Sequence, residues 1–366
     1  MKIRATLAVS AAAFGLILSG CSSSDSGSST ASESPSAAAS AGKVGVILPD
    51  SASSARWETA DRKFLEEAFQ AAGVEYDIQN AQGDKAKFQT IADQMLNAGA
   101  NVLMIVNLDS DTGAAVIKKA NAQGVKVIDY DRLTLNGEAA YYVSFDNVAV
   151  GTKIGEGLVK CMQDNGDTTG PVALLNGSPT DNNATLFKQG YETAITAAGY
   201  EVAADQSVPE WDNTKAGTIF EQMYTKANGD FIGVAAANDG LGGAAISVLD
   251  RNGEAGKIPV TGQDATDEGL QRVLLGTQCM TVYKAVKEEA DAAAALAIAL
   301  SKGETPATDQ VTKDPESGRE VPSVLLEPVA IFKDNVKEVV DDGFTTAENL
   351  CTTDKLKQAC TEAGIS

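Results

Sequence analysis

From Lys43 onward the chain alternates short, continuous apolar runs with amphipathic segments of helical period, and few architectures satisfy that alternation. The runs are VGVIL at 44–48, NVLMIV at 101–106, VKVID at 125–129, PVALL at 171–175, FIGVAA at 231–236 and IPVTG at 258–262. A strand apolar at successive positions has no face to give to water, so it belongs in a parallel sheet covered on both sides by helices. Between the runs the period changes. In the stretch 84–99, Phe88, Ile91, Ala92, Met95 and Leu96 form one helical stripe, with Asp84 placed to cap its start and Gly99 to end it. About four such units precede Tyr141, and a similar series runs from Asn147 to Tyr283. The stretch from Lys284 to Lys302 reads as a long Ala-rich helix and VPSVLLEP at 321–328 as a late strand. The expected fold is therefore α/β, with two Rossmann-like lobes whose parallel sheets are flanked by helices.

The chain before Lys43 is of another kind. Lys2 and Arg4 precede an apolar stretch, Ala5 to Leu18, that is too short to cross a bilayer as a stable span. It ends in Leu18-Ser19-Gly20-Cys21, which resembles a lipobox, so residues 1–20 are expected to be a secretory signal and Cys21 the site of lipid attachment. A buried N-terminal helix with an incidental cysteine is the alternative. Residues 21–42, dominated by Ser and Ala, have almost nothing to bury and read as a flexible tether to the membrane.

Export places the other four cysteines, Cys161, Cys279, Cys351 and Cys360, outside the reducing cytosol, where two disulfides are expected. Four cysteines allow three pairings; the short loop between Cys351 and Cys360 favours joining those two, which leaves Cys161 with Cys279. Their spacing resembles no zinc site, and the chain has no histidine, so neither a metal nor a cofactor is expected. The net charge of −21, more negative still without Lys2 and Arg4, excludes nucleic acid as a partner and suits an exported protein that must stay soluble.

In open parallel sheets, ligands bind beyond the carboxyl ends of the strands. The polar residues directly after the apolar runs are Arg56 and Trp57; Tyr130, Asp131 and Arg132; Ser178, Asp181, Asn182 and Asn183; Asn238 and Asp239; and Gln263 and Asp264. Trp211 follows a further strand. A monosaccharide offers hydroxyls round its rim and C–H patches on its faces, which match planar Asp, Asn and Arg groups and flat indoles. Each residue also has a plainer reading, an Asp as a helix cap or a Trp as core. An enzyme needs a poised base, and without histidine the remaining options are carboxylate pairs such as Asp131 with Asp264.

Several ordered motifs carry a resemblance: Arg56-Trp57, Tyr130-Asp131-Arg132, Ser144-Phe145-Asp146-Asn147, GSPTDNNATLF from Gly177, Asn238-Asp239, Gly262-Gln263-Asp264-Ala265 and GTQCMTVYK from Gly276. From Lys43 to about Phe344 the chain resembles the sugar-binding proteins of ABC transporters, the type 1 periplasmic binding proteins of the ribose and galactose class, and within them the D-xylose receptors. The resemblance implies a first lobe of 43–146 with 285–326 and a second of 147–284 with 327–366. A hinge of three crossings, near Asp146, Lys284 and Leu326, would join them. It also implies a pentose held by Arg56, Trp57, Asp131 and Arg132 of the first lobe, by Asp181, Asn183, Trp211, Asn238 and Asp264 of the second, and by Lys284 at the hinge. Trp57 would face Trp211 across the ring. Arg56, Arg132 and Lys284 balance Asp131, Asp181 and Asp264, which suits a neutral ligand. D-xylose is the first expectation and glucose, galactose or arabinose the alternative. The implied partner is a membrane permease, with a signalling receptor as the rival, and the implied state is a monomer. Gly240-Leu241-Gly242, SASSA before Arg56 and the cysteines beyond Cys161 depart from the family pattern.

Overall fold

The apolar run at 44–48 forms the strand β1 (Lys43–Leu48), buried from Val44 onward because it has no polar position to turn to water. Coordinates come from a computed structural model that describes residues 42–365; the signal, Cys21 and the tether before Gly42 lie outside the described residues. After β1 come α1 (Arg62–Ala72), β2 (Glu75–Asn80), α2 (Lys85–Asn97), β3 (Ala100–Ile105), α3 (Ser110–Ala122), β4 (Lys126–Tyr130) and β5 (Tyr141–Phe145). In α2 the expected stripe of Phe88, Ile91, Ala92, Met95 and Leu96 is buried, and the Asp84 side chain accepts from the Ala86 and Lys87 amides. The helix stops at Asn97, and Gly99 takes a positive φ of 85°.

Three strand and helix units precede Tyr141, where the sequence predicts about four. The stretch 131–140 has no apolar stripe to bury and stays a loop. Asp129 ties it back to β4, its carboxyl accepting from the Thr134 amide at 2.8 Å and hydroxyl at 2.7 Å.

The second lobe follows as α4 (Asn147–Asp164), β6 (Pro171–Asn176), α5 (Asn182–Ala197), β7 (Glu201–Ser207), α6 (Asn213–Lys226), β8 (Gly233–Ala236), α7 (Asp239–Arg251), α8 (Asp267–Leu275) and β9 (Thr281–Tyr283). Its parallel sheet has the order β7-β6-β8. The strand expected at 258–262 is reduced to a single bridge between Val260 and Val234. Pro259 has no N–H to extend the pairing, although its carbonyl accepts from Val234.

The helix α9 (Val286–Ser301) then returns to pack Val286, Ala290, Ala293 and Ala297 against Val46, Leu65 and Phe69 of the first lobe. With β10 (Gln310–Lys313) and β11 (Glu320–Leu326) that lobe's sheet reaches seven strands in the order β10-β11-β5-β4-β3-β1-β2, parallel except between β10 and β11. β12 (Val329–Ile331) pairs antiparallel with β9 in the second lobe. The chain thus crosses between lobes after β5, after β9 and after β11. The short helices α10 (Val336–Asp341), α11 (Ala347–Leu350) and α12 (Asp354–Glu362) close over α8. Cys351 lies beside Cys360, and Cys161 of α4 beside Cys279 just before β9, with Cα atoms 6.1 and 6.4 Å apart.

Candidate binding site

β1 delivers Arg56 to a turn of π-helix, Trp57–Asp61, that starts α1; such turns recur at functional sites because they redirect a helix face. The Arg56 guanidinium is buried and every edge is used. Its Nε and Nη2 donate to the two Asp61 oxygens at 2.9 and 2.7 Å, Nη1 donates to Asp131 at 3.0 Å, and Nη2 also donates to Glu289 of α9. The Arg56 plane stacks 4.5 Å from the Trp57 ring centre, and the Trp57 indole N–H donates to Ser53. β4 delivers Asp131 and Arg132. Asp131 has φ +63°, a left-handed bend that turns its side chain off the strand line, and its carbonyl accepts from Ser144 and Asn183.

On the second lobe the plainer cap readings and the site readings hold together. Asp181 caps α5 by accepting from the Asn183 amide, accepts from the Trp211 indole at 3.0 Å, and meets Arg132 Nε of the first lobe at 3.0 Å. Asn238 caps α7 through its oxygen and donates from Nδ2 to the Ser53 carbonyl across the cleft. Asn183 donates to the Asp131 carboxylate and accepts from Asn147. Lys284, directly after β9 at the second crossing, places its amine 3.4 Å from Asp264 and 3.6 Å from Asp131.

The ten residues that the resemblance assigns to the ligand all line one small cavity between the lobes. Both indoles are on its wall, Trp211 edge-on to Phe187. Ser53, Ser54, Phe187 and Gln263 line it too. Among the described residues, Ser54 Oγ and Gln263 Oε1 are buried without a hydrogen-bond partner, and the Asp264 Oδ1 facing Lys284 at 3.4 Å accepts no hydrogen bond either, so the cavity can still receive donors. Asp239, although next to Asn238, turns away and is held by Gln278 and the Thr266 amide. Tyr130 lies behind the wall, donating to Asp61 at 2.6 Å.

Electrostatics follow from the burial. Desolvation works against the Arg56 charge but is outweighed by Asp61, Glu289 and Asp131, so its pKa stands well above the ordinary value. Burial likewise pushes Asp131 up, and Lys284, Arg56 and Arg132 together hold it below the usual carboxylate range. For Glu289 burial wins. It is pushed up to about 8, with Asp131 and Asp61 adding to the shift and Arg56 opposing it. The charge balance read from the lining residues is therefore incomplete, since Asp61 and Glu289 share Arg56 from behind. Asp131 and Asp264, the pair a glycoside hydrolase would need, are both drawn onto Lys284, which disfavours a proton on Asp131.

Residues 44–305 match the family of the periplasmic binding protein domain. The chain is 34% identical to the D-xylose-binding periplasmic protein of Escherichia coli over 82% of its own length and 90% of that protein. It is 33% identical to the multiple sugar-binding periplasmic receptor ChvE of Rhizobium radiobacter, over 86% and 94%. Among solved structures, an ABC transporter solute binding protein from Clostridium phytofermentans with bound β-D-glucose superposes with a TM-score of 0.76 at 28% identity, covering 84% of this chain and 99% of that one. A carbohydrate transporter solute binding protein from Chloroflexus aurantiacus in complex with D-glucose superposes at 0.74 and 28%, covering 84% and 97%.

Proposed function

The chain belongs to the periplasmic binding protein family, and on that premise we propose that it captures one neutral aldose, D-xylose first, between its lobes and delivers it to the permease of an ABC transporter. It is a sugar-binding transport component and not an enzyme. The observation that carries the reading is the meeting of Arg56, Asp131, Arg132, Asp181, Asn183, Asn238, Asp264 and Lys284 with two indoles in one small cavity. Planar donors and acceptors meet a sugar's hydroxyls, and the indoles meet its C–H faces. The cavity is small and bounded by both lobes, which favours a single ring over a longer saccharide.

Hinge closure about the three crossings would be driven by the sugar's contacts with both lobes, which exist together only in the closed form. Lipid on Cys21 and the Ser-rich tether would hold a monomeric receptor close to its permease. Glucose is the second reading, favoured by the two glucose-bound structures that this chain resembles at 28% identity.

The test is calorimetry of the purified protein against a panel of pentoses and hexoses, with thermal unfolding beside it. A ligand at a hundred times its dissociation constant adds roughly 2.7 kcal/mol of stability. D-xylose or glucose is expected to stabilise the protein, and Trp211→Ala to weaken binding while the fold persists. No stabilisation by any pentose or hexose would sink the reading; undiminished affinity in Trp211→Ala would sink the assignment of the cavity.

A further inference from the structure

Every hydrogen bond of the Arg56 guanidinium goes to a carboxyl group of its own lobe, and one of those carboxyls stands outside the cavity. Glu289 lies in the first turn of α9, five residues past Lys284 and the second crossing, with no exposed surface. Its Oε2 accepts from Arg56 Nη2, and among the described residues its buried Oε1 has no hydrogen-bond partner. A full charge on a carboxylate with one oxygen sealed from both water and donors is expensive. Moreover, the single Arg56 charge is already shared with Asp61 and Asp131.

We propose that Glu289 is a positioning residue for the sugar site: uncharged, it lets Arg56 reach forward to Asp131 and the ligand, and on ionising it draws the guanidinium back and weakens binding. The inference rests on the proposed sugar function and adds to it a pH response built into the helix that leaves the hinge.

The groups facing Glu289 are few. From the π-helical turn come Arg56 and Asp61, from β4 and its end Tyr130 and Asp131, from β5 Tyr142, and from the crossing Lys284. Lys287 and Glu288, its neighbours on α9, are exposed. Burial holds both tyrosines neutral far into the alkaline range, with Asp61 adding to the effect on Tyr130. Asp131 is held low and Arg56 high. Glu289, pushed up to about 8, is thus the member of the cluster with a shift into the mildly alkaline window. Outside the cluster burial raises Asp239 to about 6 and Asp129 to about 7; Asp239 completes its change below that window, and Asp129, held by Thr134, titrates alike in wild type and Glu289→Gln, so the difference between the two reads Glu289.

The experiment is titration calorimetry with D-xylose and D-glucose on the full protein from pH 7 to 9.5, for wild type, Glu289→Gln and Glu289→Ala. If the ionised form does not bind, affinity falls by up to about tenfold per pH unit above the pKa of Glu289. Glu289→Gln, an isostere of the protonated acid, should keep the neutral-pH affinity and lose the alkaline decline. Glu289→Ala should bind more weakly than Glu289→Gln throughout. A flat wild-type profile overturns the proposal, and so does an identical decline in wild type and Glu289→Gln. Should neither variant fold, the wild-type profile alone decides. Absence of binding to either sugar at pH 7 in wild type refutes the sugar reading instead, so the two failures are distinct.

Discussion

Gly177, the first residue after β6, offers a way to move the Trp211 ring without touching Trp211. A Cβ added there would lie 2.0 Å from Cη2, 2.3 Å from Cζ2 and 2.5 Å from Cζ3 of that indole. Comfortable carbon contacts begin at about 3.5 Å, so in Gly177→Ala the ring must retreat by roughly 1.5 Å. Trp211 cannot simply swing. Its indole N–H is committed to Asp181 at 3.0 Å, its ring meets Phe187 edge-on, and its backbone already holds φ at +56°. A retreat of that size breaks the bond to Asp181, which leaves Arg132 as that carboxylate's remaining side-chain partner. Overpacking of this kind lowers stability by about 1–3 kcal/mol. A loss of the same size in binding energy is about 5- to 150-fold in affinity. Calorimetry with D-xylose and a thermal melt on the same preparation read both numbers. Lowered stability with unchanged affinity would show that the indole is core and not part of a sugar platform.

Two further outcomes follow from the buried carboxyls and the cysteines. Asp239, Asp129 and Glu289, raised by burial to about 6, 7 and 8, well above the ordinary carboxylate range, keep protons in the folded state that the unfolded chain has already lost. Folding takes up protons at these three groups, so their contribution to stability declines as pH rises from about 4 to 8 and levels off beyond Glu289. Thermal midpoints that climb from pH 6 to 9 would contradict this. Replacing Cys161 and Cys279 by Ser should destabilise more than replacing Cys351 and Cys360, because sequence separations of 118 and 9 correspond to loop entropies of about 5 and 3 kcal/mol. Denaturant melts giving the reverse order would refute the chain-entropy account.

The architecture was legible because continuous apolar runs leave parallel sheets as their only outlet, and eight of the ten wall residues because they follow such runs; Trp211 follows the largely exposed β7, and Lys284 was legible only through the resemblance. Legibility failed where tertiary partners decide. The missing apolar stripe in 131–140 is a local sign of a loop, but the tie that holds that loop, Asp129 to Thr134, is visible only in the fold. Phe187 lies one turn into α5, and only the facing lobe reveals that its side borders the cavity. Glu289 and Asp61 carried a signal that strand-end reasoning does not consult. Glu289 falls on the stripe Val286, Ala290, Ala293, Ala297, and Asp61 on the stripe Trp57, Phe64, Leu65. A carboxyl on a buried helical stripe needs a buried cation, and Arg56 is that cation.

Strain in the backbone points to the same place as the side chains. Of the eight non-glycine residues with positive φ among the described residues, Asp131, Trp211 and Asp264 are on the cavity wall and Glu210 and Ala265 adjoin them. Each such residue costs on the order of 1–3 kcal/mol, and glycine would remove most of that cost at any of the three wall positions. Glycine has no carboxylate to meet Arg56 or Lys284 and no indole to cover a ring face. The bends exist because a side chain at the end of a strand continues along the sheet unless the backbone turns it, and here it is turned into the cleft. Stability has been given up for direction, and direction has value only if something is held between the lobes.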